Sequence, residues 1–266
     1  MSDPLHLTSR DNPLLVKLRK LAQDGSTYRK LGEVWLEGDH LCRAALQRGR
    51  SPSQAVISEA GWQDAGLRAL ADGAAKTVVV SEALFRGISG LESPARIGFV
   101  LPLGLQPEAL AGVDTVLLDR LQDAGNAGSI LRSAAALGVA QVIALKGSVA
   151  LWSPKVLRAG MGAHFALRLI EGVPPEALDG LQLPWIATSS HATRSLHEVT
   201  LPQPCGWILG HEGQGVDPAL LDRCAFSLRI PQPGGEESLN VASAAAICFY
   251  EAVRQRTGVN TRADPA

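Results

Sequence analysis

Apolar runs and the polar stretches between them divide the chain into two parts with different rhythms. After Asp11-Asn12-Pro13, the segment LLVKLRKLA sets Leu14, Leu15, Leu18 and Leu21 at helical spacing with basic residues between them, and Gly25-Ser26-Thr27 breaks the pattern. A short strand follows in Gly32–Gly38 and leads into a helix from Asp39 to about Arg48. Gln54–Ile57, Thr77–Val80 and Arg96–Val100 read as further strands, with helices near Asp64–Ala71 and from Ser81. This first part predicts a small α/β domain over residues 1–104, its lead-in (1–30) basic and helical, followed by a Pro/Gly-containing linker at 105–112.

From Val113 to the end, residues 113–266, strand, loop and helix alternate. Strands are predicted at Thr115–Leu118, Gln141–Leu145, Phe165–Leu169, Trp185–Thr188, Gly206–Leu209 and Phe226–Ile230. Helices are predicted at Gly128–Leu137, Ser153–Ala159, Asp217–Arg223 and Leu239–Arg256. Strands separated by helices make a largely parallel sheet covered on both faces.

Composition supports a folded chain: 46% of the 266 residues are hydrophobic and 19% charged, enough to bury a sizeable core. No apolar run is long enough for a membrane span, and the polar start MSDPLHLTSRDNP lacks the apolar core of a signal peptide. Cys42, Cys205, Cys224 and Cys248 are scattered without a Cys-x-x-Cys pair, which suits reduced cytoplasm and argues against a zinc ribbon. No His-Glu-x-x-His or similar cluster points to a metal, and His191 and His197 lack the Gly-x-Ser-x-Gly elbow of a hydrolase. Net charge is −1, but residues 10–50 hold nine basic residues, among them Arg10, Lys17, Arg19, Lys20, Arg29 and Lys30. That local excess is compatible with RNA.

Three stretches carry candidate chemistry, each following an apolar strand. In Asp119–Arg132, Asn126 is placed to cap a helix, Gly128 permits close backbone approach, and Arg132 lies one turn further along the same face. The glycine spacing there fits neither a dinucleotide fingerprint nor a Walker loop, which excludes a nucleotide-binding oxidoreductase. Gly210-His211-Glu212-Gly213-Gln214-Gly215 puts an acid in a glycine loop before a helix capped by Asp217 with Pro218 in first position. Ile230–Glu251 runs from a strand end through Gly234-Gly235 to a helix opened by Ser238-Leu239-Asn240 and continued in small residues. Singly, each is an ordinary turn; at the C-terminal edge of one parallel sheet, together they make a site.

Asn126-x-Gly128-x-x-x-Arg132, then Gly210-x-Glu212-Gly213-x-Gly215, then Ile230-Pro231 through Glu237-Ser238-Leu239-Asn240-Val241-Ala242 resemble the three ordered motifs of the SpoU (TrmH) family, RNA 2′-O-ribose methyltransferases of the SPOUT class. The match covers about Val113–Arg256. Leu5–Val100 is similar, more loosely, to the family's N-terminal substrate-binding domain of ribosomal-protein-like α/β fold, most clearly at Trp35-Leu36-Glu37-Gly38. The resemblance implies a SPOUT α/β domain with a parallel sheet and a deep trefoil knot, a rare exception to unthreaded connections. It also implies S-adenosylmethionine as cofactor, held by main-chain groups at Leu209, Gly210, Gly215, Ile230 and Leu239, and a homodimer in which the C-terminal helix takes part. By the same resemblance Arg132 acts on the 2′-hydroxyl, Glu212 orients that arginine, within the chain or across the dimer, Asn126 and Asn240 position Arg132 or the ribose, and Ser238 is a further candidate catalytic residue. A free guanidinium holds its proton beyond pH ~12, so Arg132 serves either as an unusual base or as a cation at phosphate and alkoxide.

The expected function is therefore 2′-O-methylation of structured RNA in the cytoplasm, with ribosomal RNA favoured over tRNA and no membrane or metal partner. The basic N-terminal segment is expected to dock the RNA. The rivals are methylation of a tRNA ribose, methylation of a base, and an RNA-binding protein of the same fold with weak activity.

Overall fold

A computed structural model of the chain describes residues 3–235 and 238–258, and in it the chain forms two compact units. The first comprises residues 1–106 together with Trp152–Ala166; the second comprises Pro107–Leu151 and Leu167 onward. The linear division at 105–112 thus misses one excursion, in which a segment from the middle of the later part belongs to the first unit.

The first unit runs β1 (Leu5–Leu7), α1 (Pro13–Gln23), α2 (Thr27–Leu31), β2 (Glu33–Glu37), α3 (Asp39–Gln47), β3 (Gln54–Ser58), α4 (Glu59–Gln63), α5 (Ala65–Ala71), β4 (Thr77–Val80), α6 (Glu82–Ile88) and β5 (Ile97–Pro102). Its five strands are ordered β1-β4-β3-β5-β2. β1, β4 and β3 are mutually parallel, whereas β5 runs antiparallel to β3 and β2. Helix α1 forms as its pattern predicts: Asn12 accepts from the Leu14 amide at 2.9 Å, Pro13 sits in the first turn, and Leu15, Leu18 and Leu21 are buried. Trp35 is 4% exposed on β2, and Gly98 opposite leaves the room its indole fills. β1 has no counterpart in the sequence reading; at three residues, Leu-His-Leu, it is too short to display a strand period.

The second unit opens with β6 (Thr115–Leu118), α7 (Ala124–Ala136) and β7 (Gln141–Leu145); α8 (Pro154–Gly160) then lies in the excursion to the first unit. It continues with β8 (Arg168–Val173), β9 (Trp185–Thr188), β10 (Arg194–Ser195), β11 (Gly206–Leu209), α9 (Pro218–Leu221), β12 (Phe226–Arg229) and α10 (Val241–Arg256). The seven strands are ordered β10-β12-β9-β11-β6-β7-β8 and all pair in parallel. Every residue of β6, β7 and β11 is buried, as expected for central parallel strands. On one face Leu117, Ile143, Ile208, Trp185 and Ala187 pack with Leu178, Leu181 and Leu220 from the segments that cover it. Among the described residues no helix is long and apolar enough to cross a membrane.

Three predicted boundaries move. Helix α7 begins at Ala124, capped by Asp123, whose carboxylate accepts from the Asn126 amide at 2.7 Å. Asn126 is therefore inside the first turn instead of capping it. Ala163–Ala166 is a short 3-10 turn, so β8 begins at Arg168 and not at Phe165. Helix α10 begins at Val241 with Asn240 as its cap, which leaves Ser238 and Leu239 in the loop.

Candidate functional site

The site is built where β6 and β11 end side by side. Leu118 and Leu209 are paired, and the Asp119 amide extends the ladder by donating to the Leu209 carbonyl at 2.8 Å. The two loops therefore leave the sheet together. The β11 loop folds back on itself: the His211 amide donates to the Gly215 carbonyl at 3.0 Å, and the Gly215 amide to the His211 carbonyl at 2.8 Å. Gly215 takes the left-handed conformation the turn needs, at φ +71°. His211 Nδ1 accepts from the Gly213 and Gln214 amides at 3.0 and 3.3 Å, which places the proton of the neutral ring on Nε2.

This fold-back presents the Glu212 carboxylate to the start of α7, where amides lack partners within the helix and the dipole favours negative charge. Glu212 accepts from the Gln122 amide at 3.2 Å, the Asp123 amide at 3.0 Å and Asn126 Nδ2 at 3.2 Å. Burial pushes its carboxyl up, but the Asp123 amide and the other donors outweigh that and hold it below the ordinary glutamate value of 4.5. A lowered folded-state value means that its contribution is complete above 4.5 and is lost as pH falls through the lowered value. Hydrogen exchange at the Gln122 and Asp123 amides, referred to intrinsic rates, is expected to lose protection on acidification below that point and to show no such step in Glu212→Gln.

The network continues from the same asparagine. Asn126 Oδ1 accepts from Asn240 Nδ2 at 2.9 Å, and Asn240 Oδ1 accepts from the Ala242 and Ser243 amides at 2.9 and 3.3 Å, capping α10. One line of hydrogen bonds thus joins the loops after β6, β11 and β12. Each amide donates on one side and accepts on the other, so aspartate at position 126 would set two carboxylates face to face. Asn240→Ala is expected to lower unfolding free energy by about 1–2 kcal/mol through loss of the cap. Asn240→Asp should recover most of that in urea unfolding, because it keeps the capping oxygen and loses only the donor to Asn126.

Of the residues singled out from sequence, Glu212, Asn126 and Asn240 are brought into direct contact. Arg132 is exposed on α7 and makes no hydrogen bond or ion pair among the described residues. Within the chain the Glu212 and Asn240 side chains make their hydrogen bonds to Asn126 and backbone amides, which leaves the orientation of Arg132 by Glu212 to a contact across the expected dimer. Leu209 is buried at the end of β11, Gly210 is packed against Gly215 and Val216, and Ile230 follows β12 half-buried. Ser238 is exposed, and Leu239 leaves 38% of its surface exposed beside the cap of α10. Glu237 of the third motif lies outside the described residues.

In the first unit Arg10, Lys20, Arg29 and Lys30 are exposed. Lys17 is tied to Glu33 at 2.6 Å, Arg19 Nη2 donates to the Arg10 carbonyl at 2.9 Å, and Arg29 lies over the Tyr28 ring at 5.5 Å. The charge of Lys17 is thus already matched by Glu33. Asp119, Arg120 and Gln122, at the start of the first motif stretch, are not among the residues singled out from sequence. Asp119 is only 2% exposed and holds Arg120, and Gln122 Nε2 donates to the carbonyls of Arg120 and Gly147. The available signal was an acid followed by a base directly after a strand.

Residues 114–250 match the model of the SpoU rRNA Methylase family. The chain is 35% identical to an uncharacterized tRNA/rRNA methyltransferase of Synechocystis sp., over 98% of this chain and 97% of that protein. It is 31% identical to the 23S rRNA (guanosine(2553)-2′-O)-methyltransferase of Bacillus subtilis, over 83% of this chain and 88% of that protein. Its fold superposes with a TM-score of 0.81 on an AdoMet-bound rRNA methyltransferase of Sinorhizobium meliloti, 25% identical, covering 94% of this chain and 97% of that one. With the motifs joined in one network and the match extending over more than half its length, the chain belongs to the SpoU rRNA methylase family.

Proposed function

We propose that the protein transfers a methyl group from S-adenosylmethionine to a ribose 2′-hydroxyl of ribosomal RNA. The observation that carries this reading is the union of three sheet-edge loops through Glu212, Asn126 and Asn240, with Arg132 exposed and without a partner among the described residues on α7, the helix whose first turn holds Asn126. The Bacillus subtilis relative is named for a ribose 2′-O position of 23S rRNA, and the Sinorhizobium meliloti structure contains AdoMet. These names favour ribosomal RNA over tRNA.

The residues present fit the cofactor. Gly210 has no space for a side chain, Gly215 is left-handed, and Leu239 offers exposed apolar surface at a loop otherwise poor in bulk. Such a wall suits the flat face of the cofactor's adenine, with its polar edges recognised by main-chain groups at Leu209, Gly210, Gly215, Ile230 and Leu239. When bound, S-adenosylmethionine supplies an electrophilic methyl group on a sulfonium, so the chain's task is positioning and charge. Arg132 is suited to hold the adjacent phosphate and stabilise the developing alkoxide, since its planar cation has five donors. Glu212 is a poor proton acceptor, because its carboxyl is held low and its oxygens are occupied; its role is to fix the β6 and β11 loops relative to one another. Asn126 and Asn240 carry that order to α10, and Ser238, exposed two residues before the Asn240 cap, is a further candidate.

The first unit docks the RNA through Arg10, Lys17, Arg19, Lys20, Arg29 and Lys30, with the contribution of Lys17 reduced because Glu33 neutralises it. The protein acts in the cytoplasm as a homodimer whose interface includes α10; Ile247 and Tyr250, 41% and 58% exposed, support this by standing close on one face of that helix. A trefoil-knotted second unit belongs to the same reading. The test is methyl transfer from labelled S-adenosylmethionine by the purified protein to total RNA from a strain lacking it. Label in 23S ribosomal RNA is expected; label confined to tRNA would move the substrate, and no transfer to any RNA would reject the reading.

A further inference from the structure

Behind the Glu212 network lies a second set of contacts, made by residues to which no motif assigns a role. Asp119, at the end of β6, is buried, yet it is charged and fully engaged. Its carboxylate accepts from Arg120 Nε at 2.9 Å and Nη2 at 3.0 Å, a two-pronged pair, and from the backbone amide of Asp217 at 2.8 Å. Arg120 Nη1 in turn donates to Gln214 Oε1 at 3.1 Å, and the same guanidinium stands 3.8 Å from the Asp217 carboxylate. Beyond the pair, the partners of these two side chains, Gln214 and Asp217, belong to Gly210–Asp217, the loop that follows β11. The near end of that loop is fixed by the strand ladder and Glu212 by the start of α7; Gln214 and the far end are held by Asp119 and Arg120.

The backbone shows that this arrangement is enforced. Arg120 is left-handed at φ +54°, a conformation that costs a residue with a side chain and persists only where its surroundings demand it. Burying the Asp119 carboxylate against a half-buried arginine is also a poor way to gain stability, because desolvation offsets much of the attraction. What the pair adds is geometry: it sets how far the loop stands from the strand end.

We propose that Asp119 and Arg120 are a positioning pair that holds the Gly210–Asp217 loop in the shape that receives S-adenosylmethionine, an inference that rests on the methyltransferase reading. Neither residue acts on the reacting atoms. Their loss therefore weakens cofactor binding and leaves the chemical step of the bound complex nearly intact.

The experiment measures S-adenosylmethionine affinity by calorimetry, and KM and kcat for methyl transfer to 23S ribosomal RNA, in the full-length protein. Asp119→Asn and Arg120→Gly are expected to raise Kd and KM for S-adenosylmethionine about tenfold or more, with kcat at saturating cofactor falling less than about threefold. Arg120→Lys, which keeps the charge and loses the fork, should fall between Arg120→Gly and the parent protein. Gln214→Ala removes only an exposed amide, so folding does not depend on it; it should weaken affinity about threefold, and add nothing when Arg120 is already glycine. Parent-like affinity in Gln214→Ala and Arg120→Gly, or a fall in kcat with KM unmoved, would overturn the inference while leaving the methyltransferase reading standing. A parent protein that binds no S-adenosylmethionine would instead remove the reading itself, and this inference with it.

Discussion

Replacing Arg132 by alanine is expected to slow methyl transfer by about 10²–10³-fold, the range seen when a group that stabilises developing charge is removed. Affinity for S-adenosylmethionine should stay within about twofold of the parent value. The reason is local. Arg132 is exposed on α7 and has no partner among the described residues, so its removal breaks nothing that holds the loops together. A charged side chain without a partner among the described residues, on the same helix as Asn126, is available to the RNA. Arg132→Lys should recover only part of the rate, because lysine keeps the charge but not the planar fork that grips a phosphate. Single-turnover rates and calorimetry on the same preparations separate the two quantities. Unchanged turnover in Arg132→Ala would show that the alkoxide is stabilised elsewhere.

Gly210→Ala is expected to be almost as damaging, and by the opposite route. A methyl group at position 210 would fall on the carbonyl of Gly215 and the amide of Val216, and backbone cannot step aside as a side-chain tip can. The His211–Gly215 hydrogen bonds would have to open, and with them the turn that brings Glu212 to α7. The expected result is a loss of about 1–3 kcal/mol in unfolding free energy and at least about tenfold weaker cofactor binding. Gly213, three residues on, is the comparison: a methyl group there would meet nothing nearer than the His211 ring at 3.8 Å. Gly213→Ala should change urea stability by less than about 0.5 kcal/mol. Equal stability in the two variants would mean that the loop does not close on Gly210 in solution.

Much of this was legible in the sequence, and the misses have physical causes. β6, β7 and β11 were read directly, since central parallel strands are apolar throughout and no turn residue interrupts them. The three motif stretches could be placed at strand ends for the same reason. The strand order could not be read, because pairing β11 with both β6 and β9 is a long-range choice with no local mark. The cap of α7 was misplaced because Asp123 and Asn126 are both good capping residues. Glu212, distant in sequence, binds the Asn126 side chain and leaves the cap to Asp123. The strand predicted from Phe165 begins later because the left-handed Met161 and Gly162 turn the chain first. That turn lies in Trp152–Ala166, whose membership of the first unit depends on packing that a local pattern does not encode. Asp119 and Arg120 went unassigned because nothing in an arginine announces a left-handed backbone.

The central claim is that the Glu212–Asn126–Asn240 network and Arg132 serve ribose methylation of RNA. The most direct measurement is the identity of the methylated nucleoside: 23S ribosomal RNA labelled by the purified protein and S-adenosylmethionine, digested to nucleosides and in parallel hydrolysed with alkali. The account predicts a single 2′-O-methylnucleoside and a backbone bond at that site that resists alkali. Label on a base nitrogen, with every bond cleaved normally, would contradict it.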